Sequence, residues 1–515
     1  MSPTPPPSTS PPCFLYGSDG PVTSVAVRGG GSNDDTLQAV AVDGVGAVVA
    51  AGYMGTNATF GGVALTTAES SDAVVWKMNA EGTTPKVARG NGTYSRMYGL
   101  AVDGAGALVA AGYGSQATNT TFGGVVLTTA GSAILWKVSG EGTTLWVARG
   151  GGTSHDELDG VAVDGDGAVV AAGHISSTAT FGGVVLTSAG SRDAVLWKVS
   201  GEGTTLWAVH GGGTSFDSLS GVAVDGTGAV VAAGTFAGFT FNTGDSPETF
   251  GGMAFTSAGD VDAVLWKLSG EGTTLWVVRG GGRGWDILRG VAVDGEGAVV
   301  AAGYCQTASG ARTFGSEVLI NPSDLVWKVN DEGTTLWAVS GSRSTSESLQ
   351  GVAVDGAGSV VVAGSLYYSP ATFGGVVLVT TTAGSRDAVL WKMSAKGTTL
   401  WAVRGGGTSD DVLYGVAVDG AGGVVAAGYI NSSPATFGGE ALTNAGNSDA
   451  PVWKVSDVAR VTNRFILFLH DAATISPSRT CIAGLEPSVG GRSGLHFISS
   501  VSPHPSPCRL VHARR

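Results

Sequence analysis

The chain alternates short apolar segments with turns rich in glycine, aspartate and serine. Residues 160–210 are representative: the segments GVAVD, AVVAAGH, DAVLWKVS and TTLWAVH are separated by two short glycine-rich turns and one longer loop. The segments are too short for helices and rich in valine, which favours β-strands. Glycine supplies the positive φ that tight turns need, so the pattern predicts two hairpins, or four strands. These strands are apolar almost throughout, which is typical of sheets covered on both faces.

The same pattern recurs along most of the chain. The motif Ala-Val-Asp-Gly places its aspartate at Asp43, Asp103, Asp164, Asp225, Asp294, Asp355 and Asp419. A Trp-Lys pair follows in each unit, with its tryptophan at Trp76, Trp136, Trp197, Trp266, Trp327, Trp391 and Trp453. Seven repeats of about sixty residues, each with four short antiparallel strands, predict an all-β fold: a seven-bladed β-propeller.

Residue size changes in order along each repeat. The first two strands carry Val, Ala and Gly, whereas twelve of the 13 tryptophans fall on the last two strands. Propeller blades are wedges that are narrow at the axis and wide at the rim, so this order predicts that the tryptophans pack between blades. A sugar-stacking role for the same rings is the alternative.

The two ends of the repeat region predict how the ring closes. After residues 453–456 the expected outer strand is missing, whereas residues 24–31, SVAVRGGG, match an outer strand that has no blade of its own. We expect this N-terminal strand to complete the last blade and remove the exposed sheet edges. Residues 465–468, FILF, are the alternative source of that strand.

Three regions are expected. Residues 1–20 are rich in Pro and Ser and are predicted to be disordered, residues 22–456 form the propeller, and residues 457–515 abandon the repeat. The last region has seven Arg against three acidic residues, and we predict a disordered basic tail there. A genuine basic appendage is the alternative.

Charge and composition exclude several classes of binding partner and site. The formal net charge is −13, and no basic stripe suits a nucleic acid or an anionic membrane surface. No apolar run reaches the length of a membrane span, and we expect a monomer without membrane insertion. The N-terminus lacks the features of a signal peptide. The four cysteines show no C-x-x-C spacing, so neither a disulfide framework nor a zinc site is predicted.

Residues 387–429, DAVLWKMSAKGTTLWAVRGGGTSDDVLYGVAVDGAGGVVAAGY, resemble the bacterial-type β-propeller repeat, the SBBP family. Units of that family share the elements D-A-F-V-x-K, G-x-x-x-W, G-G…D-x-x-x-G-I-A-V-D and G-N-x-Y-V-x-G. The resemblance covers roughly residues 22–456, and it departs where Asn-x-Tyr of the family is Ala-Val-Val here. It implies a secreted or cell-surface propeller, and it does not imply an enzyme.

One acidic position recurs in the loop before each Ala-Val-Asp-Gly motif. Topology predicts a ring on one face of the propeller, formed by Asp35, Asp156, Asp217, Asp286, Glu347 and Asp411, with Ser95 at the second position. Such carboxylates suit calcium or a cationic partner, since oxygen ligands match hard cations. The alternative is structural: aspartates in Gly-rich loops accept backbone N–H groups, or they pair with the arginine that ends the preceding strand.

Several other positions are candidates for a binding, structural or glycosylation role. Trp285, beside Asp286, is the one tryptophan outside the packing positions and would suit a ligand platform. The lysines after tryptophan are expected to reach solvent, and the aspartates of Ala-Val-Asp-Gly to brace their turns. Sequons at Asn57, Asn91, Asn119 and Asn431 would accept glycans in a secreted eukaryotic protein.

No catalytic constellation is evident in the sequence. Four of the seven histidines fall in the tail, and the other three, His155, His174 and His210, are scattered. We therefore predict a non-catalytic binding or scaffold propeller at the cell surface or outside the cell, with a protein or glycan partner and no resident cofactor. The alternatives are a lectin-like module that uses equivalent loops and a hydrolase with its site in the singular loops near 236–250 and 285.

Overall fold

The computed structural model describes residues 21–456 except 67–70, 84–85, 92–93, 116–119, 129–130, 238–247, 307–309, 342–347 and 368, and also residues 482–484 and 496–498. The chain divides into two compact units, Met1–Val458 and Ala459–Arg515. The described residues contain only strands and their connections, and none of them forms a helix long and apolar enough to span a membrane.

The strands of the first unit begin with β1 (Val22–Gly30). The first three repeats contain β2 (Thr36–Val42), β3 (Val48–Met54), β4 (Ala58–Phe60), β5 (Val63–Leu65), β6 (Asp72–Met78), β7 (Lys86–Asn91), β8 (Ser95–Val102), β9 (Leu108–Gly114), β10 (Thr120–Phe122), β11 (Val125–Leu127), β12 (Ala133–Val138), β13 (Thr144–Gly152), β14 (Glu157–Val163), β15 (Val169–Ile175), β16 (Thr178–Phe181), β17 (Val184–Thr187), β18 (Asp193–Val199) and β19 (Thr205–Gly212).

The later repeats follow the same plan. They contain β20 (Ser218–Val224), β21 (Val230–Phe236), β22 (Glu248–Phe250), β23 (Met253–Phe255), β24 (Asp262–Leu268), β25 (Thr274–Gly282), β26 (Trp285–Val293), β27 (Val299–Gln306), β28 (Ala311–Phe314), β29 (Glu317–Ile320), β30 (Asp324–Val329), β31 (Thr335–Val339), β32 (Ser348–Val354), β33 (Val360–Leu366), β34 (Ala371–Phe373), β35 (Val376–Leu378), β36 (Asp387–Met393), β37 (Thr399–Gly406), β38 (Asp411–Val418), β39 (Val424–Ile430), β40 (Ala435–Phe437), β41 (Glu440–Leu442) and β42 (Ala450–Ser456). The second unit contributes the hairpin β43 (Ile482–Gly484) and β44 (His496–Ile498).

The predicted seven-bladed propeller is confirmed. Each of the first six repeats contributes its first, second, fifth and sixth strands to one antiparallel blade, as in β14-β15-β18-β19. The seven Trp-Lys tryptophans are at most 2% exposed. They lie in seven hydrophobic clusters that each combine residues of successive repeats, so the core of the propeller sits between its blades.

The N-terminal strand closes the ring. β1 pairs with β42 from Val22 opposite Ser456 to Gly29 opposite Ala450, and the last blade is therefore β38-β39-β42-β1. The indole N–H of Trp453 donates to Thr23 Oγ1 at 2.9 Å, the same bond that Trp197 makes to Thr205 within one continuous repeat. Residues 465–468, the alternative source of this strand, lie outside the described residues.

The longer loop of each repeat forms a hairpin, and in six of the seven repeats this hairpin extends the sheet of the preceding blade. In the sixth repeat, β34 and β35 form a separate two-stranded sheet. In the third repeat, β16 and β17 add to β13 of the second blade, where Gly151 pairs with Thr180. Phe181 at the end of β16 packs on Trp197 of its own repeat, with ring centroids 5.1 Å apart. The hairpin thus joins neighbouring blades by hydrogen bonds on one side and by an aromatic contact on the other.

The first strands of the blades approach one another closely around the axis. A Cβ atom at Gly160 would lie 3.0 Å from the Cα atom of Gly221 in the next blade, and equivalent glycines recur at Gly99, Gly290, Gly351 and Gly415. Backbone packs against backbone at this contact. The strands also carry a β-bulge at the step before the glycine, as between Leu158 and Gly160.

The lysines after tryptophan differ from expectation. Each pairs with the Ala-Val-Asp-Gly aspartate of its own repeat: Lys77–Asp43, Lys137–Asp103, Lys198–Asp164, Lys267–Asp225, Lys328–Asp294, Lys392–Asp355 and Lys454–Asp419, at 2.8–3.0 Å. The lysine side chains are 3–16% exposed, so their ammonium groups do not extend into solvent. A charged group at that depth needs a partner, and the hairpin aspartate of the same blade supplies it.

Candidate functional site

The loops that lead from an outer strand into the next blade form one candidate face. Their residues alternate in burial before each inner strand: in the third repeat His155 is exposed, Asp156 is buried, Glu157 is half-buried and Leu158 is buried. Alternation of this kind sends successive side chains to opposite sides of an extended segment. The predicted acidic ring and the solvent-facing positions therefore lie on opposite sides of the same loops.

The described members of the acidic ring, Asp35, Asp156, Asp217, Asp286 and Asp411, are all 0% exposed. Each accepts the N–H of the loop residue four positions earlier, at 2.6–3.0 Å. Most also accept an N–H from the turn after the second strand, as Asp156 does from Ser176 at 3.0 Å. Where both bonds are present, the carboxylate ties the loop that enters its blade to the turn after the second strand. Glu347 lies outside the described residues.

Burial changes the acidity of these carboxyl groups. It raises the pKa of Asp35 to about 6, although the N–H groups of Gly31 and Gly55 act in the opposite direction. Burial also raises the pKa of Asp156, Asp286 and Asp411 against their own hydrogen bonds. In Asp286 the buried guanidinium of Arg312 adds an ion pair of 2.8 Å.

The arginines that end the outer strands have a different partner from the one expected. Arg404 pairs with Asp387, the first residue of β36, at 2.9 Å, and Arg279 pairs with Asp262 at 3.2 Å. Arg28 pairs with Asp449 across the ring closure. The antiparallel partner strand begins beside the arginine, whereas the ring aspartate is directed into the next loop.

The other side of these loops, opposite the buried aspartates, differs in sequence from blade to blade. We define the entrance surface as the residues nine, seven and five positions before each Ala-Val-Asp-Gly aspartate, together with the second-strand residue paired opposite the middle one. Its described members are Asp34, Thr36, Gln38, Tyr53; Tyr94, Arg96, Tyr98, Tyr113; His155, Glu157, Asp159, His174; Phe216, Ser218, Ser220, Thr235; Trp285, Ile287, Arg289, Tyr304; Ser348, Gln350, Ser365; and Asp410, Val412, Tyr414, Tyr429.

Trp285 belongs to this surface. It opens β26 and is 46% exposed, and its neighbour Asp286 is directed to the buried side. Phe216 and Tyr94 occupy the equivalent position in two other blades and are 57% and 37% exposed. The sequence identified Trp285 as singular, and the structure adds two further exposed aromatic rings at the same position.

Contacts between blades join the entrance surface of the first three blades. The guanidinium of Arg96 lies over the ring of Tyr53, 4.1 Å from its centroid, and Tyr113 stacks on His155 at 4.7 Å. The first of these contacts ties the first blade to the second, and the other ties the second to the third. Within the fifth blade, Arg289 donates to the hydroxyl of Tyr304 at 3.2 Å.

The third repeat contributes a cluster that sequence reasoning treated as scattered. His155, Glu157 and His174 offer ligand atoms that all lie within 4.8 Å of one another. Burial, with the positive charges of Arg192 and His155, lowers the pKa of His174 to about 3, so this imidazole is neutral. The signal was the alternating spacing His-x-Glu combined with a histidine on the paired strand, which only the strand register reveals.

The four sequons and the singular loop near 236–250 are only partly within the described residues. Asn57 and Asn431 are exposed, whereas the side chain of Asn91 and all of Asn119 lie outside the described residues. Of the singular loop near 236–250, residues 238–247 also lie outside them.

Comparisons with known proteins find similarity at the level of solved structures. No protein-family model matches the chain, and no curated protein matches it. Similar structures include Sqt1 from Chaetomium thermophilum (10% identity, TM-score 0.41, covering 79% of this chain and 83% of that one) and the Pan2 WD40 domain of Neurospora crassa (9%, 0.44, 86% and 97%). The phage phi92 endosialidase is a third (9%, 0.40, 95% and 77%). At these identities and TM-scores the similarities carry no information on function.

Proposed function

We propose that the protein is a non-catalytic binding propeller that holds a protein partner on its entrance surface. The observation that carries the proposal is where the repeats differ. Strand cores, tryptophans, lysine–aspartate pairs and loop aspartates recur from blade to blade, whereas the entrance surface differs in every repeat. The fold does not fix these positions, and an asymmetric protein partner would contact a different set of side chains on each blade.

The chemistry of the surface favours a protein partner. It is rich in Tyr, with Trp285, Phe216, Arg96 and Arg289 among its other large side chains. Tyr, Trp and Arg are the residues that dominate binding energy at protein interfaces. Arg96 lies over two rings, Tyr53 at 4.1 Å and Tyr94 at 4.5 Å, which holds these side chains in place before binding. Such preorganisation lowers the entropy cost of association.

The loop carboxylates support a non-catalytic role. Asp35 and Asp156 already accept two backbone N–H groups each and are buried, so a substrate on the surface would not reach them. The resemblance to the SBBP repeat favours placing this interaction at the cell surface or outside the cell.

The test uses a photo-crosslinking amino acid in the full chain. It is placed at Trp285 or Phe216 on the entrance surface and, as matched controls, at the exposed Leu206 or Leu275 of outer strands β19 and β25. After exposure to extracellular proteins of the source organism, we expect one shared adduct from both entrance positions and none from the controls. With the purified partner, Trp285→Ala should weaken binding by roughly tenfold or more, and Leu275→Ala should leave it unchanged.

Other outcomes would replace the proposal. Equal crosslinking from the outer strands, with unchanged affinity in the Trp285→Ala protein, would contradict it. Binding of an oligosaccharide that is lost on changing any of several equivalent loops would establish the lectin-like alternative. Substrate turnover lost only when residues 236–250 or Trp285 are changed would establish the hydrolase.

A further inference from the structure

His155, Glu157 and His174 stand out from the rest of the entrance surface because their side chains converge. Glu157 and His174 are directly paired residues of β14 and β15, and His155 lies two positions before Glu157 on the same side of the chain. One ligand atom of each lies within 4.8 Å of the others, and His155 Nε2 is 2.8 Å from Glu157 Oε2. Among the described residues, this is the one group of three His, Cys, Asp or Glu side chains spaced to hold a metal ion.

The buried state of His174 is the second observation. Its side chain is 4% exposed, and its Nε2 atom is buried with no hydrogen-bond partner among the described residues. A buried ring nitrogen without a partner costs free energy, since it has lost its hydrogen bond to water. A metal ion bound at this nitrogen would remove that cost.

Two further side chains lie beside the cluster. Asp159 Oδ2 lies 4.0 Å from His174 Nδ1. Tyr113 lies against the His155 ring, with ring centroids 4.7 Å apart.

The cluster is peculiar to one blade. The three equivalent positions are Tyr94, Arg96 and Tyr113 in the second repeat and Phe216, Ser218 and Thr235 in the fourth. Since the blades fold alike with these different residues, the fold itself does not require two histidines and a glutamate in the third.

We propose that His155, Glu157 and His174 bind a divalent transition-metal ion, with zinc as the type. Two imidazoles and one carboxylate match the ligands that zinc takes when it keeps a fourth position open. Tetrahedral zinc sets its ligand atoms about 3.3 Å apart, from metal–ligand distances of about 2.0–2.1 Å. The His155 side chain is 47% exposed and is free to make this small adjustment. The open position faces the entrance surface, where water or an atom of the partner completes the coordination.

The test is zinc binding by the full chain after chelator treatment, measured by competition with a chromophoric chelator. We expect the wild-type protein to bind one zinc ion more than the His155→Ala protein, with a Kd of about 1 µM or tighter. Glu157→Gln should weaken the same site by roughly tenfold or more. Histidines and cysteines of residues 457–515 are present in every variant, so any zinc they bind cancels in the comparison.

Two controls separate binding from folding. His210→Ala removes a histidine that pairs with Asp193 in β18 at 3.1 Å, and it should leave the zinc count unchanged. His155→Ala changes an exposed side chain, so its unfolding temperature without metal should match that of the wild type. The X-ray absorption spectrum of the extra zinc ion is the difference between the wild-type and His155→Ala proteins. It should show nitrogen and oxygen ligands at about 2.0–2.1 Å and no sulfur at about 2.3 Å. Equal zinc binding by wild-type and His155→Ala proteins, or a sulfur-ligated ion, would overturn the proposal, which is independent of whether a protein partner is found.

Discussion

At the scale of the residue, the repeated lysine–aspartate pair shows how one buried charge is accommodated seven times. Burial alone would raise the pKa of Asp294, but the Lys328 ammonium and the N–H groups of Ala298 and Glu296 outweigh it and hold the pKa below its usual value. The carboxylate therefore serves two purposes. It closes the first hairpin of the blade, and it neutralises the lysine of the third strand, which is too deep to reach water.

Asp294→Asn should be costly, because it removes one partner of a buried pair and leaves the Lys328 ammonium without its counter-ion. We expect a loss of about 3–5 kcal/mol in the free energy of unfolding at pH 7. Thermal and denaturant unfolding would measure it. Glu141→Gln, which breaks the exposed pair with Lys86, is the control and should leave the midpoint unchanged.

The same variant carries a pH signature. A carboxyl group with a lowered pKa stabilises the fold above its unfolded pKa, and this contribution is lost as the pH falls through the folded value. The deficit of Asp294→Asn should therefore shrink below about pH 3.8, where the wild-type carboxyl group also becomes protonated. A deficit that is constant down to pH 2 would show that the cost arises from turn geometry and not from charge.

Residue-level prediction from sequence succeeded where a position repeats and failed where contacts cross strands. Tryptophan packing followed from the period and the wedge shape alone. The pairing of Lys328 with Asp294 could not be predicted in this way, because it depends on which residue of the third strand lies beside the turn of the first hairpin. The proximity of His155 and His174 was missed for the same reason: strand register, which no repeat spacing specifies, brings them together.

At the scale of the element, the hairpin inserted in the third repeat links two blades. Phe181 is fully buried, packs on Trp197 and approaches Gly150 so closely that a Cβ atom there would lie 2.2 Å from the phenyl ring. The sequence indicated only a loop with Thr-Phe-Gly-Gly at this point. That it adds two strands to the preceding blade depends on contacts between repeats, which the strand pattern within one repeat does not contain.

Phe181→Ala should weaken the packing of the β16–β17 hairpin on Trp197. We expect a loss of about 3–5 kcal/mol, since the substitution leaves a cavity beside a fully buried tryptophan. Hydrogen exchange should quicken first at the amides of Thr178–Phe181 and Val184–Thr187, because these strands are held by few other contacts. Val185→Ala on the same hairpin, where the side chain is 63% exposed, should change stability by less than about 0.5 kcal/mol. Uniform loss of protection over the whole blade would contradict a local role for the hairpin.

At the scale of the whole molecule, the ring is closed by pairing the two ends of the propeller. The sequence predicted this from a count of outer strands, and β1 pairs with β42 as that count required. Closure leaves the last blade without the covalent turn that the other blades have between their third and fourth strands. In the third blade that turn is Gly201-Glu202-Gly203, which follows Ser200, the equivalent of Ser456.

A circular permutant tests whether that turn is the only difference. Ser456 is joined to Val22 through Gly-Glu-Gly, and new termini are opened between Glu141 and Gly142, in the equivalent and exposed turn of the second blade. Because Val22 and Ser456 are already paired, the linker spans the same gap as in the other blades. We expect the permutant to melt within about 5 °C of the linear protein of residues 22–456.

Deletion of residues 22–30 from the linear protein is the matched control. It removes the partner strand of β42 and the hydroxyl that Trp453 binds, and it exposes a sheet edge that favours association. We expect this protein to melt lower and to aggregate, as measured by calorimetry and light scattering. A permutant that unfolds while the deletion protein stays folded and monomeric would mean that β1 does not close the ring in solution. If both behave as expected, the fold depends on the cyclic order of its strands and not on where the chain begins.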